Sequence, residues 1–150
     1  MTNKSIVVVA VVFLAIGLIA GYLIPKPVEK GMIQPQLVNV QDQFNQTFEK
    51  GFVGTSKYIA ITSVPSGSIE LFRFTVIPKH IHQNQNHFLY ILKGRASGSI
   101  GDVKGEVGPG TLVVIPAGVP HGFKAVGNES VDFILFSSPK FDTADTMKLE

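Results

Sequence analysis

All four histidines of the 150-residue chain, His80, His82, His87 and His121, fall in its second half. His80 and His82 stand two apart, the separation of neighbours on one face of a β-strand, and so of two side chains able to grip one ion. His87 follows five positions later. Four imidazoles with no cysteine form an all-nitrogen donor set, which suits Zn, Cu, Fe or Ni better than Mg or Ca. Neutral imidazoles bring no charge, so a divalent ion held by four of them keeps its full +2. That favours a water, an anion or an enolate-like group at an open position. The plainer alternative is a hydrogen-bonded core histidine. Two at strand spacing, followed by another, strain that alternative.

The elements that must position these residues read as strands. Short apolar runs at 57–64, 69–77, 88–92, 96–100, 112–115, 122–126 and 131–137 alternate with turn signals such as Pro65-Ser-Gly67, Gly108-Pro-Gly110 and Pro116-Ala-Gly118. That rhythm predicts an all-β sandwich or barrel. Val40–Phe52, with Phe44 and Phe48 four apart, comes nearest to a helix and could equally be a strand and turn. Phe72, Phe74 and Val76 share one strand face. If that phase runs on through Pro78, His80 and His82 point into the same interior.

The two histidine clusters resemble the motifs of the cupin superfamily. The first family motif, His-x-His, a few residues, an acidic ligand, six residues and Gly, is matched by His80-Ile-His82, His87 and Gly94. The second, Gly, five residues, Pro-x-Gly, two residues and His, is matched without a gap by Gly110, Pro116-Ala-Gly118 and His121. The sequence departs from the pattern at Phe74 and Ala125, where the family often has Gly and Asn. It departs also at His87, which stands where the family usually has a metal-binding Glu. The resemblance implies a double-stranded β-helix (jelly-roll or cupin barrel) and one divalent transition metal, Fe, Mn, Zn, Ni or Cu, on His80, His82, His87 and His121. It also implies a small-molecule ligand or substrate, and a possible homodimer.

A general base is harder to find. Glu70 shares the phase of Phe72 but would more often be solvated; Tyr90, Asp102 and Glu106 read as packing or surface residues. Without an acid–base partner, a dioxygenase-type oxidoreductase is easier to support than a hydrolase, and a non-enzymatic metal or small-ligand binding or sensing module is its rival.

The amino-terminal region has a different character. Ser5–Ile24 is twenty residues without a charge. As a helix it would span about 30 Å, enough to cross a bilayer. No small-x-small cleavage site follows it, so it reads as a retained anchor. The amino terminus and Lys4 outweigh the net charge of Lys26, Glu29 and Lys30, which favours a single-pass protein with its domain outside the cytoplasm, extracellular or periplasmic. The expected organisation is a short segment at 1–4, the transmembrane helix at 5–24, a stalk at 25–35, the cupin domain at 36–141 and a flexible tail at 142–150. Lys4 is the only one of 13 Lys and Arg to precede the anchor, leaving 12 basic against 11 acidic residues beyond it. No basic run exists, which excludes nucleic-acid binding by phosphate neutralisation.

Overall fold

A computed structural model describes residues 33, 35–51 and 53–149. The expected membrane span Ser5–Ile24 lies outside the described residues, as do 1–4 and most of the stalk. Among the described residues no helix is long and apolar enough to cross a membrane.

The strands are β1 (Glu49–Lys50), β2 (Lys57–Val64), β3 (Gly67–Phe74), β4 (Val76–His82), β5 (Asn86–Lys93) and β6 (Ala96–Ile100), then β7 (Val103–Val107), β8 (Leu112–Ile115), β9 (His121–Ala125), β10 (Val131–Ser138) and β11 (Thr146–Lys148). They form a six-stranded sheet, β1-β2-β3-β10-β5-β8, and a five-stranded sheet, β11-β4-β9-β6-β7. This is the double-stranded β-helix expected, but not a closed barrel. Each sheet keeps its own edge strands, and the two meet through side chains. Phe72, Phe74, Leu89, Ile91, Val113, Phe133 and Leu135 from the six-stranded sheet pack with Ile77, Ala96 and Phe123 from the other in one core. The segment at 40–52 resolves into one helical turn, α1 (Val40–Gln43), and β1.

The histidine strand is not one continuous run. The chain leaves the six-stranded sheet after Phe74 and enters the five-stranded sheet at Val76, so the inward phase passes to Ile77, which is buried. The β4–β9 register then shifts between Ile77 and His80. Pro78, which has no N–H to give the ladder, sits in that irregularity. The second shift cancels the first, and His80 and His82 end up facing inward.

Of the tail expected to be flexible at 142–150, residues 142–148 form a 3-10 turn and a strand. Asp142 caps a 3-10 turn (Thr143–Asp145) by accepting from Ala144 N at 2.9 Å. β11 then adds to the open edge of β4, with Thr146 opposite His82 and Lys148 opposite His80. An edge strand carries unpaired backbone donors and acceptors. Pairing satisfies them, which is why so polar a segment is ordered.

Within the five-stranded sheet, β6 and β9 pack closely near the site, with Gly98 opposite Phe123. A Cβ on Gly98 would lie 2.3 Å from Gly122 O and 2.4 Å from the ring of Phe123, a wall of the histidine cavity. Gly98→Ala should therefore overpack this contact and cost about 1–3 kcal/mol. The expected result is a lower urea midpoint at unchanged slope. A midpoint equal to the parent's would show that the β6–β9 contact has slack.

Candidate metal centre

The ladder brings the histidines together from both sheets. His80 and His121 are direct cross-strand partners on β4 and β9, with ring centroids 4.2 Å apart. His82 is two residues further along β4, its Nε2 3.1 Å from His80 Nε2. His87 comes from β5 in the opposite sheet, its ring centroid 4.2 Å from that of His82. All four are buried. One nitrogen from each of His80, His82 and His121 lies within 4.8 Å of the others, a spacing compatible with a metal ion. His87 is beside this group but not in it.

Backbone carbonyls set which nitrogens face inward. His80 Nδ1 is 2.9 Å from Pro78 O, and His121 Nδ1 is 2.9 Å from Val119 O. A carbonyl only accepts, so each Nδ1 carries the hydrogen and each Nε2 presents a lone pair. Metal-binding histidines are generally oriented in this way. His82 Nδ1 has a longer contact, 3.4 Å, with Thr146 Oγ1.

The second motif supports the first. Gly118, at φ +76°, shapes the Pro116–Gly118 turn, and its N–H donates to His82 O at 2.7 Å. Ala117 N donates to Asn86 Oδ1 at 3.0 Å. The turn leading to His121 is thus tied to the loop between His82 and His87.

The imidazoles line a cavity of about 50 Å³ whose other walls are mostly apolar, Phe72, Leu89, Phe123, Phe133, Leu135 and Phe141 among them, with Ser56 and Thr146. Among the described residues that line it, none carries a charged side chain. Phe141 forms one wall: its ring centroid lies 6.0 Å from that of His87 and 6.5 Å from that of His82. Its own N–H donates to Ser68 Oγ at 2.7 Å.

A family model described as "Cupin domain" matches residues 74–137, a span that contains all four histidines. An uncharacterized protein of Methanocaldococcus jannaschii is 30% identical over 99 residues, covering 66% of this chain and 74% of the relative. The chain belongs to the cupin superfamily. Solved structures agree on the fold. A Streptomyces PAC13 variant with uridine aligns at TM-score 0.60 and 12% identity, over 79% of this chain and 93% of that one. KdgF from Halomonas sp. aligns at TM-score 0.55 and 22% identity, over 66% and 90%.

Burial and mutual repulsion keep this cupin's imidazoles neutral. Burial, aided by the neighbouring His80, lowers the His82 pKa to about 4. The same cause, with repulsion from His82, His121 and His80, takes His87 to about 2. Burial, with repulsion from His80, takes His121 to about 3, and burial lowers His80 too. Neutral imidazole is the form that ligates.

Three contributors are not evident from the sequence alone. Gln85 is buried and 3.1 Å from His87 Nε2. Thr146 backs His82. Glu70, expected to be solvated, is 3% exposed on the inward face of β3, and its Oε2 has no partner. Burial raises its pKa to about 7, opposed by a hydrogen bond from Ser68. For Gln85 and Thr146 polarity gave no signal, because both are placed by contacts between the histidine loop and the distant tail; Glu70 has the phase of Phe72, and its position between β2 and β10 buries it.

These shifts act on stability with opposite signs. The histidines bind protons more readily unfolded, near 6.5, than folded. Stability therefore falls as pH drops below about 6.5. Glu70 binds its proton more readily folded, so its contribution is present below its ordinary 4.5 and lost as pH rises towards 7. In chelator, the melting temperature should fall between pH 6.5 and 4.5. In Glu70→Gln, which lacks the opposing group, it should fall more steeply. Equal slopes in parent and variant would contradict a buried, neutral Glu70.

Proposed function

We propose that this cupin domain holds one divalent transition-metal ion, Fe, Mn, Zn, Ni or Cu, on the Nε2 atoms of His80, His82 and His121. The observation that carries the reading is the pair of Nδ1–carbonyl bonds, which turn two lone pairs towards one point, with His82 Nε2 3.1 Å from one of them. Without a cation the close nitrogens of His80 and His82 need a proton between them; a metal takes that proton's place. Imidazole donors and an uncharged cavity favour a metal-centred reaction on a small molecule, an oxidoreductase of dioxygenase type. They give little support to hydrolysis by a carboxylate pair, since none lines the cavity. PAC13 is named with bound uridine, but a cavity of about 50 Å³ is too small for a nucleoside while Phe141 stays in place. That small volume favours the second reading, a non-enzymatic module that binds or senses a metal or small ligand.

We further propose that Ser5–Ile24 anchors the chain with the domain outside the cytoplasm. A second copy of the domain is the proposed cover for the outer face of the six-stranded sheet, where Phe88, Tyr90, Leu112, Val114 and Phe136 lie exposed in one patch. Monomeric proteins seldom leave such a patch open.

Metal at a hundredfold excess over its dissociation constant should stabilise the parent by about 2.7 kcal/mol. His82→Ala should lose nearly all of that increment while changing the metal-free protein much less. Equal destabilisation with and without metal would make His82 a packed core histidine and defeat the metal reading. For the anchor, the full chain should stay in the membrane fraction after alkaline washing and lose its domain to externally added protease. Release by the wash would defeat the anchor, and protection would reverse its orientation.

A further inference from the structure

Three of the four imidazoles, His80, His82 and His121, bring one nitrogen each within 4.8 Å of one another, and the fourth stands beside them. His80 and His121 give their Nδ1 hydrogens to carbonyls and keep Nε2 bare. His87 turns its Nε2 to a side chain instead, 3.1 Å from Gln85 Oε1. The direction of that bond is fixed from the far end of Gln85. Its amide nitrogen donates to Lys140 O at 3.2 Å and Asp142 O at 3.3 Å. A flipped amide would set its oxygen against two carbonyl oxygens, so the observed orientation is the only satisfied one. Oε1 is therefore the acceptor, and His87 Nε2 carries the hydrogen. Its bare nitrogen is then Nδ1, and neither ring nitrogen of His87 joins the donors that His80, His82 and His121 bring within 4.8 Å of one another.

We propose that Gln85 is a positioning residue that holds His87 out of the coordination sphere. The metal would then be ligated by three imidazoles, not four, with His87 a hydrogen-bonding neighbour of whatever occupies the open positions. This rests on the metal-centre reading above. It reassigns His87, which the sequence pattern places among the ligands. Burial explains why the arrangement holds: His87 and Gln85 are each more than nine-tenths buried, where an unmade hydrogen bond is costly. The two carbonyls that hold Gln85 flank Phe141, so a segment that lines the cavity also holds the fourth histidine away.

The test counts imidazoles on Cu(II) bound to the full chain, by pulsed EPR of the remote ring nitrogens. The parent should show three, and His87→Ala should show the same three at unchanged copper affinity. Gln85→Leu, which removes the acceptor, should free His87 Nε2 and raise the count to four; adding His87→Ala should return it to three. Gln85→Glu keeps an acceptor oxygen and should stay at three. A count of four in the parent, or one that drops in His87→Ala, would overturn the exclusion of His87 and leave the metal centre standing. A count of three in Gln85→Leu would overturn the role of Gln85. Should His82→Ala bind copper as the parent does, the metal-centre reading itself fails, and this inference with it. His87→Ala tests the exclusion even if Gln85→Leu fails to fold.

Discussion

His80 and His121 stand opposite each other on the β4–β9 ladder, and the rest of the site is arranged around that contact. Cross-strand neighbours have Cβ atoms about 4.5–5.5 Å apart, so two inward-facing imidazoles there must touch. Charging both in an apolar cavity would be prohibitive, and burial keeps them neutral. A neutral ring has one N–H and one lone pair. Once Pro78 O and Val119 O take the N–H groups, both lone pairs turn inward, and His82 brings a third nitrogen close by. The apolar walls enforce neutrality and the carbonyls supply direction. Neither would make a metal site without the other.

Strands elsewhere were legible where turn residues bound a short apolar run. β2, β6 and β8 were readable from the chain with their observed bounds, because turn residues flank each one. β7 (Val103–Val107) was not, since it is almost wholly exposed and its strand state comes from its ladder with β6. β11 was not for a related reason. Thr146–Lys148 has no apolar alternation of its own and becomes a strand by finding the free edge of β4. Local composition carries the pattern of a face but not the presence of an edge that needs a partner.

The inward aim of His80 and His82 shows the limit of phase reasoning. Carrying the even phase from Phe72 through Pro78 reaches the right face by a path the chain does not take. The crossing between sheets after Phe74 moves the inward position to Ile77, and the irregularity at Pro78 moves it back. Two breaks cancel where one would have reversed the answer. The spacing of His80, His82 and His121 in the motifs was the stronger guide, because the Pro116–Gly118 turn is bonded directly to the histidine loop.

His87 was legible as a buried member of the cluster, but its role was not, because that depends on which ring nitrogen faces the others. Gln85 decides it, and Gln85 is held by carbonyls 55 and 57 residues away. No local pattern encodes that contact. The same segment carries Phe141 over the rings and Thr146 behind His82. Phe141 stands between Lys140 and Asp142, so one short stretch of chain both lines the cavity and supplies the two carbonyls that orient the amide beside His87.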